Sequence, residues 1–499
     1  MDVIAVIYLS FAIVMGCGLA YQLFDEHRSE IVRGALCWLF ITFLAFAVSI
    51  PSVFFGLAIL SLAILSPADK DERLVFFFVM LPVLPGFVRW LIPFPGLDFL
   101  FEINNVSIVT IGVLLPLLFA SNRYGGKPPV DHAPSDRGFL FMFLLFLLVK
   151  LLLDFRGTTV TDNLRSGVET VLELIVPVYA VYRFTGSVDS VRRVLAGIAI
   201  AACIVGSICM IQIVKVWPIY SEIPYSITID SGMSRTFEIR GGLIRVPAMM
   251  GVIPVGFFMA AGFFIVLTLR KLEQRRLYAI VFLAISLLSV YASGSRGAWI
   301  SFVAMAAAFA VSSGRLIRYR KWFVVIGIVF IAPITSFVVS RLVAADPFGT
   351  IQYRLDLLTN ALRAIADNPV WGDPYFLTNP NLQSSLQGQG IIDVVNAYLG
   401  ICLRYGVVGL ILFSLPVMSC FRKVMKRHAY DLKQGNQDSE LIHRFLTSYL
   451  FAALIFIFTT SFVDRIELYL WIFLMLGNRL SAVQATRSAA ITTRLTIPR

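Results

Sequence analysis

The sequence predicts an all-α fold: a polytopic transmembrane bundle of about 12 to 15 helices, each roughly 20 apolar residues long, with one large extracytoplasmic loop that contains a short amphipathic helix. Composition and apolar patterning predict this class. Of the 499 residues, 58% are hydrophobic and only 14% are charged, and the mean hydropathy is +0.82. Soluble globular proteins carry about 25% charged residues. The composition therefore excludes a cytosolic enzyme, a disordered scaffold and a secreted disulfide framework.

Apolar runs bounded by polar or charged residues recur along the chain. The first run lacks a basic leading segment and a small-residue cleavage site, so we expect it to be retained as the first span. The runs on either side of Pro51 predict two short helices or one kinked helix. The expected spans lie near residues 3–24, 34–50, 52–66, 74–92, 105–120, 138–154, 168–184, 191–214, 247–269, 277–293, 297–312, 322–341, 397–421, 445–462 and 467–483.

The net charge of +12 comes from lysines and arginines that gather in short loops between the apolar runs. This distribution is a topology signal, and it argues against a nucleic-acid partner, which would favour one continuous basic stripe. If the spans alternate, six basic segments share one side, which the positive-inside rule assigns to the cytoplasm. They are residues 123–137, 183–193, 270–276, 315–321 and 422–444 and the C-terminal tail.

Two long polar stretches then face the opposite side, and both are too long to be simple connections. The resulting organisation has six parts. They are N-terminal helices at 1–214, an extracytoplasmic loop at 215–246, central helices at 247–341, the large extracytoplasmic loop at 342–396, C-terminal helices at 397–483 and a cytoplasmic tail at 484–499.

The large loop opens with a helical pattern and then becomes irregular. Five apolar residues fall on one stripe of this helix, and Arg354 lies at the margin of the stripe. Asn368-Pro369 and Gly372-Asp373-Pro374 then break the pattern. We expect an amphipathic helix on the membrane surface, followed by an irregular lid. The stripe consists of Ile351, Leu355, Leu358, Leu362 and Ile365.

Signatures of soluble enzymes are absent from the sequence, including phosphate-binding glycine-rich loops, zinc-binding His-Glu-x-x-His and Gly-x-Ser-x-Gly. All four histidines, His27, His132, His428 and His443, fall in loops predicted to be cytoplasmic. Chemistry on the outer side is therefore expected to proceed without imidazole, with no metal site and no cofactor.

The outer side carries a set of arginines instead. Arginine is always charged and presents a planar fork of donors, so several converging arginines suit a phosphate or diphosphate. A single arginine can equally reach a lipid headgroup or cap a helix. The candidates are Arg235, Arg240, Arg245, Arg296, Arg354 and Arg363.

Three segments between residues 290 and 415 form a pattern. They are the Ser-Arg-Gly turn within Tyr291 to Ala298, Arg354 followed by Ala361, Pro369 and Gly372, and Asn396-Ala397-Tyr398-Leu399 with Arg404-Tyr405-Gly406 to Leu410. In their order and spacing, with a long outer loop between them, they resemble the O-antigen ligase and Wzy-type polysaccharide polymerase family.

The resemblance implies that two arginines from different outer loops engage a lipid-linked diphosphate, and by position these are Arg245, with Arg240 as a competitor, and Arg354. Ligases of the family keep a histidine immediately before the Asn-x-Tyr-Leu element as the base. This chain has Val395 there, which favours a polymerase over a ligase and a base other than histidine.

An outer carboxylate is needed if histidine is missing, because a positioned base typically adds 10²–10⁴-fold to the rate. Asp393, three residues before Asn396 at the mouth of a span, is the first candidate. An equally good interpretation makes Asp393 the N-cap of that span. Arg404 is expected to contact a phosphate or the carbonyls of a neighbouring helix. The expected catalytic set is Asp393, Arg354 and Arg245, and the expected substrate-binding set is Arg296, Arg240, Arg363, Asn396, Tyr398 and Arg404.

The resemblance implies a multi-pass enzyme of the bacterial inner membrane that polymerises undecaprenyl-diphosphate-linked oligosaccharide repeats into a surface polysaccharide. The alternatives are an O-antigen ligase and a lipid-linked-sugar transporter. A transporter would show two related halves with interrupted helices, which this sequence lacks. A polytopic glycosyltransferase with acidic residues in its first outer loop fits poorly, because that loop is nearly absent. Expected partners are the lipid-linked oligosaccharide and membrane lipids, with a chain-length regulator as a further candidate.

Overall fold

The computed structural model describes residues 3–123, 134–228, 238–240, 243–313, 350–387, 392–463 and 465–495. It is 78% helical with almost no strand, which confirms the all-α helix bundle. The helices are α1 (Val3–Leu23), α2 (Arg28–Ala47), α3 (Pro51–Leu65), α4 (Lys70–Met80), α5 (Asn105–Val109), α6 (Leu115–Arg123), α7 (Pro134–Asp154), α8 (Val160–Thr170), α9 (Val176–Phe184), α10 (Val188–Lys215), α11 (Val252–Thr268), α12 (Lys271–Gln274), α13 (Arg276–Ala292), α14 (Arg296–Val311), α15 (Thr350–Asp367), α16 (Pro380–Gln383), α17 (Ala397–Gln434), α18 (Gln437–Thr459) and α19 (Ile466–Leu495).

Five helical stretches in the described part of the chain are long and apolar enough to cross a bilayer. They are Val3–Leu23, Asp25–Ala47, Val188–Lys215, Ala397–Gln434 and Gln437–Thr459. Shorter apolar helices follow the other predicted runs at Pro51–Leu65, Asn105–Ala120, Val252–Thr268, Arg276–Ala292 and Arg296–Val311. The predicted run at 322–341 lies outside the described residues, so the predicted total of spans stays a prediction.

The predicted span at 74–92 is wrong as a continuous helix. α4 ends at Met80, and the chain turns before it enters strand β1 (Arg89–Leu91). Pro82 and Pro85 explain the break, because proline lacks the N–H of a helix interior and clashes with the preceding turn. Around Pro51 the structure has two helices, α2 and α3, and Pro51 occupies the start of α3.

Two short antiparallel hairpins interrupt the helices. Strand β1 pairs with β2 (Glu102–Asn104), and β3 (Glu238–Arg240) pairs with β4 (Leu243–Arg245). In the second hairpin Glu238 lies opposite Arg245. Arg245 is the last strand residue before the chain approaches α11, so the hairpin fixes its backbone beside the bundle.

Helix α10 is the centre of the bundle. Every residue from Val194 to Cys209 is buried. A helix that is apolar on all sides is stable only when other helices surround it. α1, α4, α11 and α13 pack around α10, and together they form the main core.

Ion pairs and polar contacts gather the basic loops at one end of the bundle. Arg192 lies 3.1 Å from Asp438, and Arg270 donates to Gln437 over 2.9 Å. Lys271 and Arg275 pair with Glu26 and Asp25 over 2.8 and 2.9 Å. These contacts confirm that residues 183–193, 270–276 and 422–444 lie on the same side; its assignment to the cytoplasm stays a prediction. At this end α19 continues as a helix through Leu495, into the predicted tail.

Candidate active site

The short turn between α13 and α14 organises the opposite end of the bundle. Gly294 has φ +58°, a backbone conformation that glycine adopts without strain. Ser295 caps α14, because its hydroxyl accepts the N–H of Ala298 over 3.4 Å. The cap leaves Arg296 as the first residue of α14, at the end of the bundle opposite the basic loops.

Arg245 packs directly on this turn. Its side chain is only 8% exposed, and its Nε donates to the carbonyl oxygen of Ser293 over 3.3 Å. A Cβ atom added at Gly294 would lie 2.6 Å from the Cγ of Arg245. The backbone N–H of Val246 also donates to the carbonyl of Ala292 over 2.9 Å. The β3–β4 hairpin therefore places Arg245 against the turn that contains Arg296.

Arg354, near the start of α15, reaches the same region from the large loop. Its Nη2 donates to the carbonyl oxygen of Thr459 at the end of α18, over 3.3 Å. Thr459 also lies against the turn, because a Cβ added at Gly297 would be 2.6 Å from its hydroxyl. Thr459 thus connects Arg354 to the turn that contains Arg296.

Electrostatics support this proximity. Arg354 keeps solvent-exposed surface, but enough protein surrounds the guanidinium for burial to lower its pKa, and the positive charge of Arg296 lowers that pKa further. Two like charges held close together repel each other, and the nearby Asp393 carboxylate offsets part of this repulsion by opposing the fall in the Arg354 pKa.

Asp393 lies beside Arg354. Burial raises the pKa of the Asp393 carboxyl above its usual value, and the Arg354 charge opposes that shift. The Tyr353 hydroxyl donates to the backbone carbonyl of Asp393 over 3.0 Å and accepts the backbone N–H of Asp393 over 3.1 Å. Because Tyr353 and Arg354 are neighbours on α15, this double hydrogen bond sets Asp393 relative to the arginine.

The N-cap of α17 is Asn396, so Asp393 is not the cap. The Asn396 side chain accepts the N–H groups of Tyr398 and Leu399 over 3.0 and 3.2 Å. The Tyr398 hydroxyl donates to the carbonyl of Leu454 over 3.1 Å. Both residues were expected to bind substrate; the structure gives their polar groups partners within the helix bundle, and a role in binding stays a prediction.

The loop after α15 is fastened to a kink in α17. Gly406 has φ +67° and ψ −168° inside the helix, which frees the next N–H groups from helical partners. Val407 donates to the carbonyl of Pro369 over 2.9 Å, and Val408 donates to that of Val370 over 3.2 Å. A Cβ on Gly372 would lie 2.5 Å from the backbone nitrogen of Gly406. Here the two glycines permit a backbone contact that fixes the large loop.

Arg404 belongs to this attachment. Its Nε lies 2.7 Å from Oδ1 of the buried Asp154, whose Oδ2 accepts the Tyr405 hydroxyl over 3.1 Å. Arg156 donates to the carbonyls of Trp371 and Gly372 over 2.8 and 3.1 Å. The ion pair gives Arg404 a structural partner, whereas the expected phosphate contact stays a prediction.

Helix α15 presents a different face to the protein from the predicted stripe. Leu357, Ala361 and Ala364 are buried against Leu382 and Leu403. Three residues of the predicted stripe are 40–56% exposed instead: Leu355, Leu358 and Leu362. The prediction that this stripe lies on the membrane surface is untested.

Of the other arginine candidates, the structure describes the side chain of Arg363 alone, and it lies away from the cluster. Arg363 is exposed nine residues beyond Arg354 on α15, roughly 13 Å along the helix. Arg240 lies on β3 one hairpin turn before Arg245, and its side chain is outside the described part of the structure. Arg235 falls outside it altogether. Among the histidines that the structure describes, His27, His428 and His443 belong to the basic end of the bundle.

Several residues of the site were not identified from the sequence. Tyr353 and Thr459 carry no motif, and their roles depend on contacts 40 and 105 residues away in the chain. Asp154 and Arg156 end an apolar run and look like ordinary boundary residues. The only available signal was the position of Tyr353 directly before Arg354.

Comparison with known proteins agrees with the resemblance. Residues 280–414 match the family model described as O-antigen ligase. This segment contains the 293–297 turn, Arg354, Asp393 and the Gly406 kink. No curated protein matches the chain. The chain is a multi-pass membrane protein in which residues 280–414 are similar to the O-antigen ligase family.

Proposed function

We propose that the chain transfers a glycan from a lipid-linked diphosphate to a sugar hydroxyl, and that it polymerises undecaprenyl-diphosphate-linked repeats on the outer side of the bacterial inner membrane. The observation that carries the proposal is that Arg245 and Arg296 both lie at the 293–297 turn and that Arg354, from the large loop, lies close to Arg296. Arg245 contacts the 293–297 turn, and Arg296 lies in that turn. The positive charge of Arg296 lowers the pKa of Arg354.

The reaction needs two kinds of assistance. An acceptor hydroxyl attacks the anomeric carbon, a new C–O bond forms, and the C–O bond to the diphosphate breaks with its electron pair leaving on the phosphate oxygen. The three arginines stabilise this negative charge. Asp393 takes the proton of the hydroxyl, and its raised pKa makes it a better base near neutral pH than an ordinary aspartate.

The residue at the ligase histidine position favours polymerisation over ligation. Val395 packs with the small apolar cluster of α15, beside Leu399 and Ile392. An imidazole base has been replaced there by a packing residue, so base catalysis is assigned to Asp393. Ligation to a different acceptor is the alternative, and the same assay separates the two.

The test is to incubate the purified protein in detergent with lipid-linked repeat units and to separate the glycans by size, with no metal or nucleotide added. A ladder of longer glycans is expected for a polymerase. A single product formed only with an added lipid A-type acceptor would indicate a ligase. No transfer under either condition would overturn the proposal.

The matched variants are Arg354→Ala and Arg276→Ala. Arg354→Ala removes a charge-assisted contact of about 1.5–3 kcal/mol, so transfer should fall roughly 10- to 150-fold while membrane insertion persists. Arg276 is exposed at the basic end of the bundle, and its replacement should leave the ladder unchanged. Normal chain length in Arg354→Ala would contradict the phosphate-binding role.

A further inference from the structure

A groove runs along the outside of the bundle between α7 and α17, away from the arginine cluster. It has a volume of about 690 Å³, within the range of pockets that hold small ligands. Met142 lines it from α7, and Leu410, Leu415 and Met418 line it from α17. Leu415 and Met418 are 50% and 44% exposed, so the groove is open to the surroundings of the bundle.

One end of the groove is lined by positively charged side chains. Arg422 and Lys423 close it at the basic end of the bundle. The Nζ of Lys423 donates to Oδ1 of Asn478 over 2.8 Å, which holds the ammonium group in place. Arg422 is exposed. Lys426 continues this basic segment by one helical turn. Clusters of lysine and arginine directly beside a spanning helix are typical of sites for anionic lipid headgroups.

The length of the groove fits one leaflet of a bilayer. Leu410 and Arg422 are twelve residues apart on α17, roughly 18 Å at 1.5 Å per residue. Half of a hydrocarbon core of about 30 Å is about 15 Å. Apolar side chains therefore extend over the depth of the acyl chains, and the two cations lie at headgroup depth.

We propose that this groove binds one anionic phospholipid, with its acyl chains along α17 between Leu410 and Met418 and its phosphate at Arg422 and Lys423. A phospholipid fits this groove better than a soluble anion, because a soluble anion would contact the two cations and not the apolar side chains along α17. The site is separate from the proposed reaction, since Arg422 lies sixteen residues beyond the kink at Gly406, roughly 24 Å along the helix.

Native mass spectrometry of the purified protein tests the site. Micelles contain dioleoyl phosphatidylglycerol and dioleoyl phosphatidylcholine at equal concentration. The wild-type protein should retain one phosphatidylglycerol molecule in preference to phosphatidylcholine. Arg422→Glu should weaken phosphatidylglycerol binding at least about tenfold, as expected for loss of a charge-assisted contact. Arg276→Glu reverses an exposed charge at the same end outside the groove, and it should keep the wild-type preference.

A second variant tests the apolar part. Ser414 lines the middle of the groove, and Ser414→Phe should fill it and weaken binding of both lipids by a similar factor. Unchanged binding in Ser414→Phe, or an equal loss in Arg422→Glu and Arg276→Glu, would overturn the proposal. Because the readout is lipid retention, a failure here is distinguishable from a failure of the proposed transfer reaction.

Discussion

Replacing Gly294 with alanine would perturb Arg245 without altering any charged residue. The φ of Gly294 is +58°, so alanine there costs about 1–2 kcal/mol of backbone strain. The new Cβ would lie 2.6 Å from the Cγ of Arg245, whereas ordinary contact begins at 3.4 Å. The arginine must therefore retreat by about 0.8 Å. A misplacement near 1 Å can cost about 10²-fold in rate, and we expect a loss of that size.

Gly435→Ala is the matched control. Gly435 has φ +68°, and an added Cβ meets nothing within 4 Å. It ends α17 at the basic end of the bundle. Both variants should therefore lower the melting temperature through the same backbone strain, but only Gly294→Ala should lose transfer activity with lipid-linked repeat units. Near-normal turnover in Gly294→Ala, or an equal loss in Gly435→Ala, would refute the inference that Arg245 acts on the substrate.

Three further predictions concern the outer loop. Tyr353→Phe removes two hydrogen bonds to the backbone of Asp393, each worth about 0.5–1.5 kcal/mol; kcat should fall roughly tenfold with KM unchanged, and an unchanged kcat would count against a positioning role. Transfer should rise with pH as the Asp393 carboxyl loses its proton. Arg354→Gln removes the charge that opposes the raised pKa of Asp393, so the residual activity should rise at higher pH than in the wild type; a downward shift would contradict the assignment of the base. Gly406→Ala strains a residue at φ +67° and drives a Cβ into the carbonyl of Val370; a loss of more than about 2 kcal/mol is expected from a thermal melt, and an unchanged melting temperature would contradict the loop attachment.

The attachment of the large loop gives a structural role to several residues that carry the family resemblance. Pro369, Gly372 and Gly406 form a backbone contact between the loop and the kink of α17. Arg404 supports the same junction through Asp154. These residues hold the loop in position, so changes in them should affect transfer through the placement of α15.

The helices could be predicted from the sequence because apolar runs report burial or membrane contact directly. The same signal failed at 74–92, where apolar composition persists but Pro82 and Pro85 end the helix. Of the packed face of α15 it identified only Ile365. Leu357, Ala361 and Ala364 include small residues, and their burial depends on partners elsewhere in the chain.

Only the charged residues of the candidate site could be singled out from the sequence. Sequence position and the resemblance singled out Arg245, Arg354 and Asp393, because unusual charge on the outer side is visible in the chain itself. The contacts that connect them were not visible, since Tyr353 and Thr459 act through a single hydroxyl and a backbone carbonyl. Such partners have no compositional signature and depend on the tertiary fold.

The most direct test of the account is the affinity of the purified protein for undecaprenyl diphosphate compared with undecaprenyl monophosphate. The wild-type protein should bind the diphosphate more tightly. Arg245→Ala, Arg296→Ala and Arg354→Ala should each weaken diphosphate binding by at least about tenfold, as expected for loss of a charge-assisted contact. Equal affinity for the two lipids, or undiminished diphosphate binding in all three variants, would contradict the claim that these arginines hold the leaving group.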